Sequence, residues 1–397
     1  SNVFVDLDQK EGDKTSGSAT ILGNSGQGKT YLLQLLLCNV LEAGKRVICL
    51  DSEHELEDFC MNLGGSYLDL LSGQYRINLL EPRRWDDGTG EDDPEAPPAF
   101  RGTLLSQHTS FLRDIFRVYK DFDTPHIDTL EIMVERLYQK WGISDDTDFS
   151  RLRPTDYPIL SDLYQLLEDA YNHYDDNGPH QLYTAEILRD LLLGLHSMCK
   201  GGGLPVFNGP YLISRSARFL VFGVKALDDV AQNLRDTMLF SILSYMSGQL
   251  LNCGQFRGHH RRAVPVAQQS HRHHVYSQCA ETGEKAGVRP DPRHAKSGGL
   301  RSAWDSGDDP TAVCHPTHQF YFNAGVVDQQ FYMRNLQLQS FEYEIIKNAK
   351  RGECLYRCGT DRHILEVVAP EYKARLFKRQ ETGQNTSQNP QEEAVPK

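Results

Sequence analysis

The sequence predicts an α/β fold, a mostly parallel P-loop NTPase sheet interrupted by an all-helical block. Three observations predict it. The run Gly23-Asn24-Ser25-Gly26-Gln27-Gly28-Lys29-Thr30 fits G-x-x-x-x-G-K-[ST]. A short apolar segment, residues 18–22, precedes this run, and a leucine-rich segment of helical character, residues 31–41, follows it. The glycine loop therefore joins a strand to a helix, the context the motif requires. Gly44 then opens a turn into Arg46-Val-Ile-Cys-Leu-Asp51, a buried strand ending in an acid, which completes a β-α-β unit.

The motif carries its own chemistry. Backbone amides of a glycine-rich turn, at a helix N-terminus, wrap a polyphosphate. Lys29 reaches the β- and γ-phosphates, and the Thr30 hydroxyl holds Mg²⁺. Gly23, Asn24, Ser25, Gly26, Gln27, Gly28, Lys29 and Thr30 are thus expected to bind ATP, with Mg²⁺ as its partner. A glycine loop that merely caps a helix is the plainer alternative, and the two flanks argue against it.

Further elements follow in order. Residues 85–98 are acidic and rich in Gly and Pro, which marks a solvated boundary loop. From about Phe100 to Lys200 the period is helical. Leu130, Met133, Val134 and Leu137 form one apolar stripe. Leu163, Leu166, Leu167 and Ala170 form a second, behind a Ser161 cap, and Leu188, Leu191, Leu192 and Leu195 form a third. All three stripes read as core. Strand signals return at Phe219–Val224, and a helix runs through Leu234, Met238, Leu239, Ile242, Leu243 and Met246. Later strands are expected at Gln319–Phe322, Cys354–Tyr356 and Ile364–Val368, and an early one at Asn2–Leu7. The expected division is 1–84 for the first part of the ATPase domain, 85–215 for the helical insertion and 216–378 for the second part. Residues 379–397 read as a disordered tail. The strand-like start at Asn2 reads as a fragment lacking an N-terminal portion.

Composition narrows the function. No apolar run is long enough to span a bilayer, and mean hydropathy is −0.52, so membrane association is expected only through partners. Nine cysteines without disulfide-scaffold spacing favour reduced thiols in the cytoplasm. A net charge of −12 argues against general nucleic-acid affinity, while a local basic lining for DNA stays open.

Residues 253–315 do not match their surroundings. Seven of the fifteen histidines fall there, with almost no apolar periodicity, and a long structureless stretch inside a compact domain is a warning. His271, His273, His274 and Cys279 are zinc-ligand types in no familiar spacing. A loop binding phosphate or nucleic acid is the second reading. The third is a shifted reading frame. Codons built from the last two bases of one residue and the first of the next let Asp291–Leu300 spell Ile-Leu-Ala-Thr-Gln-Asn-Leu-Glu-Asp-Phe. They let His260–Val266 spell Ile (or Thr)-Asp-Glu-Leu-Tyr-Leu-Leu, with Asp-Glu where Arg261 and Arg262 stand. The frame reading is favoured because the written segment disagrees with its neighbours.

The ordered set of motifs resembles the C-terminal ATPase domain of the VirB-type (fourth subunit) conjugation and type IV secretion ATPases, of the HerA–FtsK superfamily of P-loop motors. The match rests on residues 2–8, 21–30, 46–55, 157–163, 219–225 and 351–359, and covers nearly all the chain outside 253–315. The resemblance implies a RecA-like P-loop NTPase sheet with an inserted all-helical subdomain. It also implies a homo-oligomer, commonly a hexamer, working with other secretion-channel subunits at the inner face of the membrane. It implies ATP hydrolysis coupled to transport, with Asp51, Glu53 and Glu55 near the γ-phosphate. Arg351 or Arg357 would be an arginine finger reaching a neighbour's nucleotide. Cys354 and Cys358 read as strand residues rather than metal ligands. The family's Walker B Asp-Glu and later sensor Gln are missing from the written sequence. Two alternatives therefore remain: an assembly subunit that binds nucleotide without hydrolysis, and a DNA-translocating coupling-type ATPase.

Overall fold

The computed structural model describes residues 19–82, 103–149, 151–175, 182–200, 205–210, 217–252, 263–267, 317–325 and 338–378, with Val5, Met333 and Leu336 besides. The chain opens with β1 (Ala19–Leu22), α1 (Lys29–Glu42), β2 (Arg46–Asp51), α2 (Glu57–Asn62) and β3 (Ser66–Asp69). A helical run follows: α3 (Leu104–Tyr119), α4 (Thr124–Lys140), α5 (Leu160–Asn172) and α6 (Ala185–Cys199). Then come β4 (Phe219–Gly223), α7 (Gln232–Asn252), β5 (Ala263–Ala267), β6 (His318–Tyr321), α8 (Ser340–Asn348), β7 (Glu353–Cys358), β8 (Asp361–Glu366) and α9 (Glu371–Ala374). The fold is α/β.

The strands form two sheets, ordered β3-β4-β2-β5 and β1-β6-β7-β8. Every pairing in the first sheet is parallel, as is β1 with β6, whereas β6-β7-β8 is antiparallel. The first sheet is apolar on both faces, as parallel sheets must be. Val47, Cys49, Tyr67, Phe219 and Val221 pack towards α1 and α2. The alternate residues Ile48, Leu68, Leu220 and Phe222 join the core of the helical run and α7.

Helix α1 ties the two sheets together. Near its start, Leu32 packs with Phe320, Phe322 and Tyr356 of the second sheet. Further on, Leu37, Cys38 and Val40 pack with the first. Near the chain's far end, the Lys373 ammonium donates to Asn39 Oδ1 at 2.5 Å and Glu42 Oε2 at 2.6 Å. The Phe377 ring stands edge-on to Tyr31, 5.1 Å between centroids, so the C-terminal segment fastens onto α1.

Leu130, Met133, Val134 and Leu137 are buried on α4; Leu163 and Leu167 on α5; Leu188, Leu191 and Leu195 on α6. Thr103, Asp123 and Thr184 accept from backbone amides at the starts of α3, α4 and α6. Ser161 is not the cap of α5. That helix begins at Leu160, where Asp162 Oδ2 accepts from the Ile159 amide at 2.8 Å, and the Ser161 amide donates instead to Asn208 Oδ1 at 3.0 Å.

Three further differences have physical causes. Strand β8 is shifted N-terminally from 364–368 because it is paired residue by residue with β7 from Asp361. Strand β3 and helix α8 are too short to show a period in the sequence. Within 253–315, Ala263–Ala267 is a strand paired with β2 rather than structureless. Its Pro265 is tolerated because β5 ends its sheet's order. The rest of that segment, with His271, His273, His274 and Cys279, lies outside the described residues, as do Asn2–Leu7 apart from Val5 and the 379–397 tail. Cys354 and Cys358 are buried on β7, and burial pushes the Cys354 thiol up to about 12. Among the described residues no helix is long and apolar enough to cross a membrane, and no group of three metal-ligating side chains occurs.

Candidate nucleotide site

Gly23 to Thr30 link β1 to α1, and their shape depends on β6. Gly23 has φ 149°, and a Cβ there would stand 2.5 Å from the Phe322 Cβ. Only glycine fits such a close approach in the left-handed region. The next amide, Asn24 N–H, donates to the Asn323 carbonyl at 2.7 Å. On the other side, the Gly352 amide donates to the Gln27 carbonyl at 2.9 Å. The loop is thus braced from both flanks by the β6 end and by the turn between α8 and β7.

Gly28 is the N-cap of α1, with φ 107° and no side chain to satisfy the first amides of the helix. No acidic residue stands in the first turn. The first amides of an α-helix have no acceptor within the helix, so Lys29, Thr30 and Tyr31 present donors where the macrodipole is positive. This local chemistry fits a polyphosphate. The Lys29 ammonium donates to the Asn24 carbonyl at 2.8 Å, folded over the loop's centre. Burial lowers the Lys29 pKa below its ordinary 10.5, against the opposing influence of Glu55 and Glu53.

The acidic turn after β2 meets this loop. Thr30 Oγ1 donates to Glu55 Oε2, which joins the loop's hydroxyl to a carboxylate. Glu53 is half-buried and Glu55 exposed. Asp51, expected to bind the cofactor, is instead fully buried. Its carboxylate accepts from the amides of Glu53, Glu55 and Leu56 and from the Tyr67 hydroxyl, so it is saturated by protein donors. Lys225, which follows β4, reaches the Glu53 carbonyl at 3.5 Å.

The two candidate finger arginines differ. Arg357 is committed to structure: its guanidinium donates to the Leu336 carbonyl at 3.1 Å and lies 3.7 Å from Glu342, which also pairs with Arg362 at 2.7 Å. Arg351 is exposed, in the turn whose Gly352 amide holds the P-loop of the same chain. Of the residues singled out from the sequence, Thr30 meets Glu55 directly, and Glu55 and Glu53 act on the Lys29 charge. Tyr67 and Asn323 carry no motif or period signal, and Lys225, although within the matched stretch 219–225, was assigned no role.

The solved structure of VirB4 from Thermoanaerobacter pseudethanolicus matches with a TM-score of 0.66, covering 94% of this chain and 95% of that one, at 21% identity. The fold is that of VirB4. Two curated proteins share shorter stretches. Protein TraC of Escherichia coli is 35% identical over 66 residues, and the chromosomal replication initiator protein DnaA of Campylobacter fetus is 34% identical over 80. Those stretches span only 8% of TraC and 18% of DnaA. No family model matches the sequence. The chain is therefore similar to VirB4 in fold over nearly its whole length, with a local sequence likeness to TraC.

Proposed function

We propose that the chain is the ATP-binding and ATP-hydrolysing part of a motor subunit that energises conjugative transfer or type IV secretion. The observation carrying this reading is the pairing of the P-loop Thr30 with Glu55 beneath the Lys29 ammonium. A threonine hydroxyl that donates its proton to a carboxylate keeps its lone pairs for a cation. Thr30 would hold Mg²⁺, which when bound neutralises phosphate charge. Lys29 exchanges the Asn24 carbonyl for phosphate oxygens, and the α1 amides cradle the same anion. Glu55 fixes the Thr30 hydroxyl, and Glu53 accepts a proton from the attacking water. The VirB4 fold and the TraC stretch support the transport setting. A homo-oligomeric ring such as a hexamer, and partners at the inner face of the membrane, are what the family resemblance implies for it. Arg351, beside the loop of its own chain, serves that chain's nucleotide or a neighbour's across a ring interface. The helical run α3–α6 acts as the inserted subdomain of this motor.

A second reading is a nucleotide-binding assembly subunit without turnover. The observation favouring it is that the written sequence carries Arg261-Arg262 where the shifted frame reads Asp-Glu, so it holds no Walker B carboxylate pair to polarise water. One pair of assays separates the two. Magnesium-dependent ATP binding with phosphate release abolished in Lys29→Ala is expected of the motor, and binding without release is expected of the assembly subunit. Resequencing codons 250–318 decides whether Arg261-Arg262 belong to the natural protein.

A further inference from the structure

We infer that Asp51 is a positioning residue which, with Tyr67, sets the turn that carries Glu55 onto Thr30. The inference rests on the proposed function and assigns to Asp51 a role other than ligation.

The geometry of the turn carries it. Asp51 ends β2 with its backbone fixed, since its carbonyl accepts from the Val224 amide at 2.9 Å at the end of β4. Oδ1 accepts from Glu53 N–H at 3.2 Å and Glu55 N–H at 3.3 Å. Oδ2 accepts from Leu56 N–H at 3.0 Å and the Tyr67 hydroxyl at 3.3 Å. Four donors on one fully buried carboxylate make a charged group that is satisfied where it stands. Three of those donors are backbone amides of residues 53–56. The carboxylate therefore dictates the path of the chain through both candidate catalytic acids.

Tyr67 completes the set from β3. Its hydroxyl passes over Gly223, where a Cβ would stand 2.5 Å from the Tyr67 Oη. Burial, then the neighbouring Asp51 charge, pushes its phenol far above the ordinary value, so it stays a donor at every working pH. His54, at the apex of the turn with φ 59°, lays its ring edge-on against Tyr67, 5.4 Å between centroids. A left-handed non-glycine residue at that point is held by its surroundings. Asp51, Tyr67 and Gly223 thus form a buried support behind the turn, and Glu55 is its exposed outcome.

The test uses the whole chain and fluorescent ATP, titrated with and without Mg²⁺. Asp51→Asn places an amide donor opposite donors already present. It is expected to weaken magnesium-dependent binding about tenfold, the scale of one charged hydrogen bond, while binding without Mg²⁺ stays as in the wild type. Tyr67→Phe removes one of the four bonds and is expected to give a smaller loss of the same kind. Hydrogen exchange of residues 52–57 without nucleotide should be faster in both variants. If Asp51→Asn does not fold, Tyr67→Phe and the same exchange readout carry the test. Equal losses with and without Mg²⁺, or unchanged binding and exchange in folded variants, would overturn the inference. A wild-type chain that binds no ATP would instead overturn the proposed function, while the exchange result would still report whether Asp51 holds the turn.

Discussion

The P-loop and the acidic turn face each other across the same site, yet they are built by opposite means. The loop is made by backbone: Gly23 and Gly28 adopt angles closed to other residues, and amides of the loop and of its neighbours clamp it. The turn is made by one side chain, Asp51, which gathers amides that would otherwise need other partners. A backbone-built site announces itself as a contiguous motif. A site built by a buried carboxylate depends on residues far along the chain, such as Tyr67 and Gly223, that have no reason to form a pattern.

Predictions can sharpen this contrast. The largest effect is expected at the loop's one cation. Lys29→Ala should weaken ATP binding by about one to two orders of magnitude, the scale of a hydrogen bond between charged groups, read by titration calorimetry. Next comes Glu55→Gln, which keeps the shape of the side chain but removes its charge. It should cut the gain in affinity that Mg²⁺ confers by about tenfold, with little change in magnesium-free binding. An equal effect of both variants on magnesium-free binding would break the division of labour between loop and turn.

The backbone origin of the loop gives a third expectation. Gly23→Ala forces a contact with Phe322 in a left-handed conformation, at a cost of about 1–3 kcal/mol. Thermal melting should fall by several degrees, whereas an alanine at Gly26, whose added Cβ would meet nothing within 4 Å, should lose only the cost of its own positive φ. The smallest effect is on pH. Burial holds Lys29 below 10.5 in the free chain, and a bound polyphosphate favours its charged form. Affinity is therefore complete below the lowered value and declines as pH rises through it, with proton uptake on binding in that alkaline window. Calorimetry in buffers of different ionisation enthalpy measures that uptake.

The same contrast explains what was legible in the sequence. The β1–α1–β2 unit could be read because hydrophobic runs, glycine spacing and helix onset are all local. The alternating apolar faces of β2 and β4 could be read as buried strands for the same reason. The family resemblance grouped Asp51, Glu53 and Glu55 near the γ-phosphate without distinguishing Asp51, whose burial is decided by β3 and β4. Arg351 and Arg357 looked equivalent as basic residues near a strand, and only packing against Glu342 separates them. In residues 253–315 the local signals conflict with the fold, and the strand at Ala263–Ala267 was hidden by its proline and by the polar run around it.

The most direct test of the account is ATP binding by the unmodified chain with and without Mg²⁺, measured beside Lys29→Ala. The account predicts saturable binding that strengthens with Mg²⁺ and weakens by about one to two orders of magnitude in the variant. Binding that ignores both Mg²⁺ and Lys29, or no binding by the unmodified chain, would contradict it.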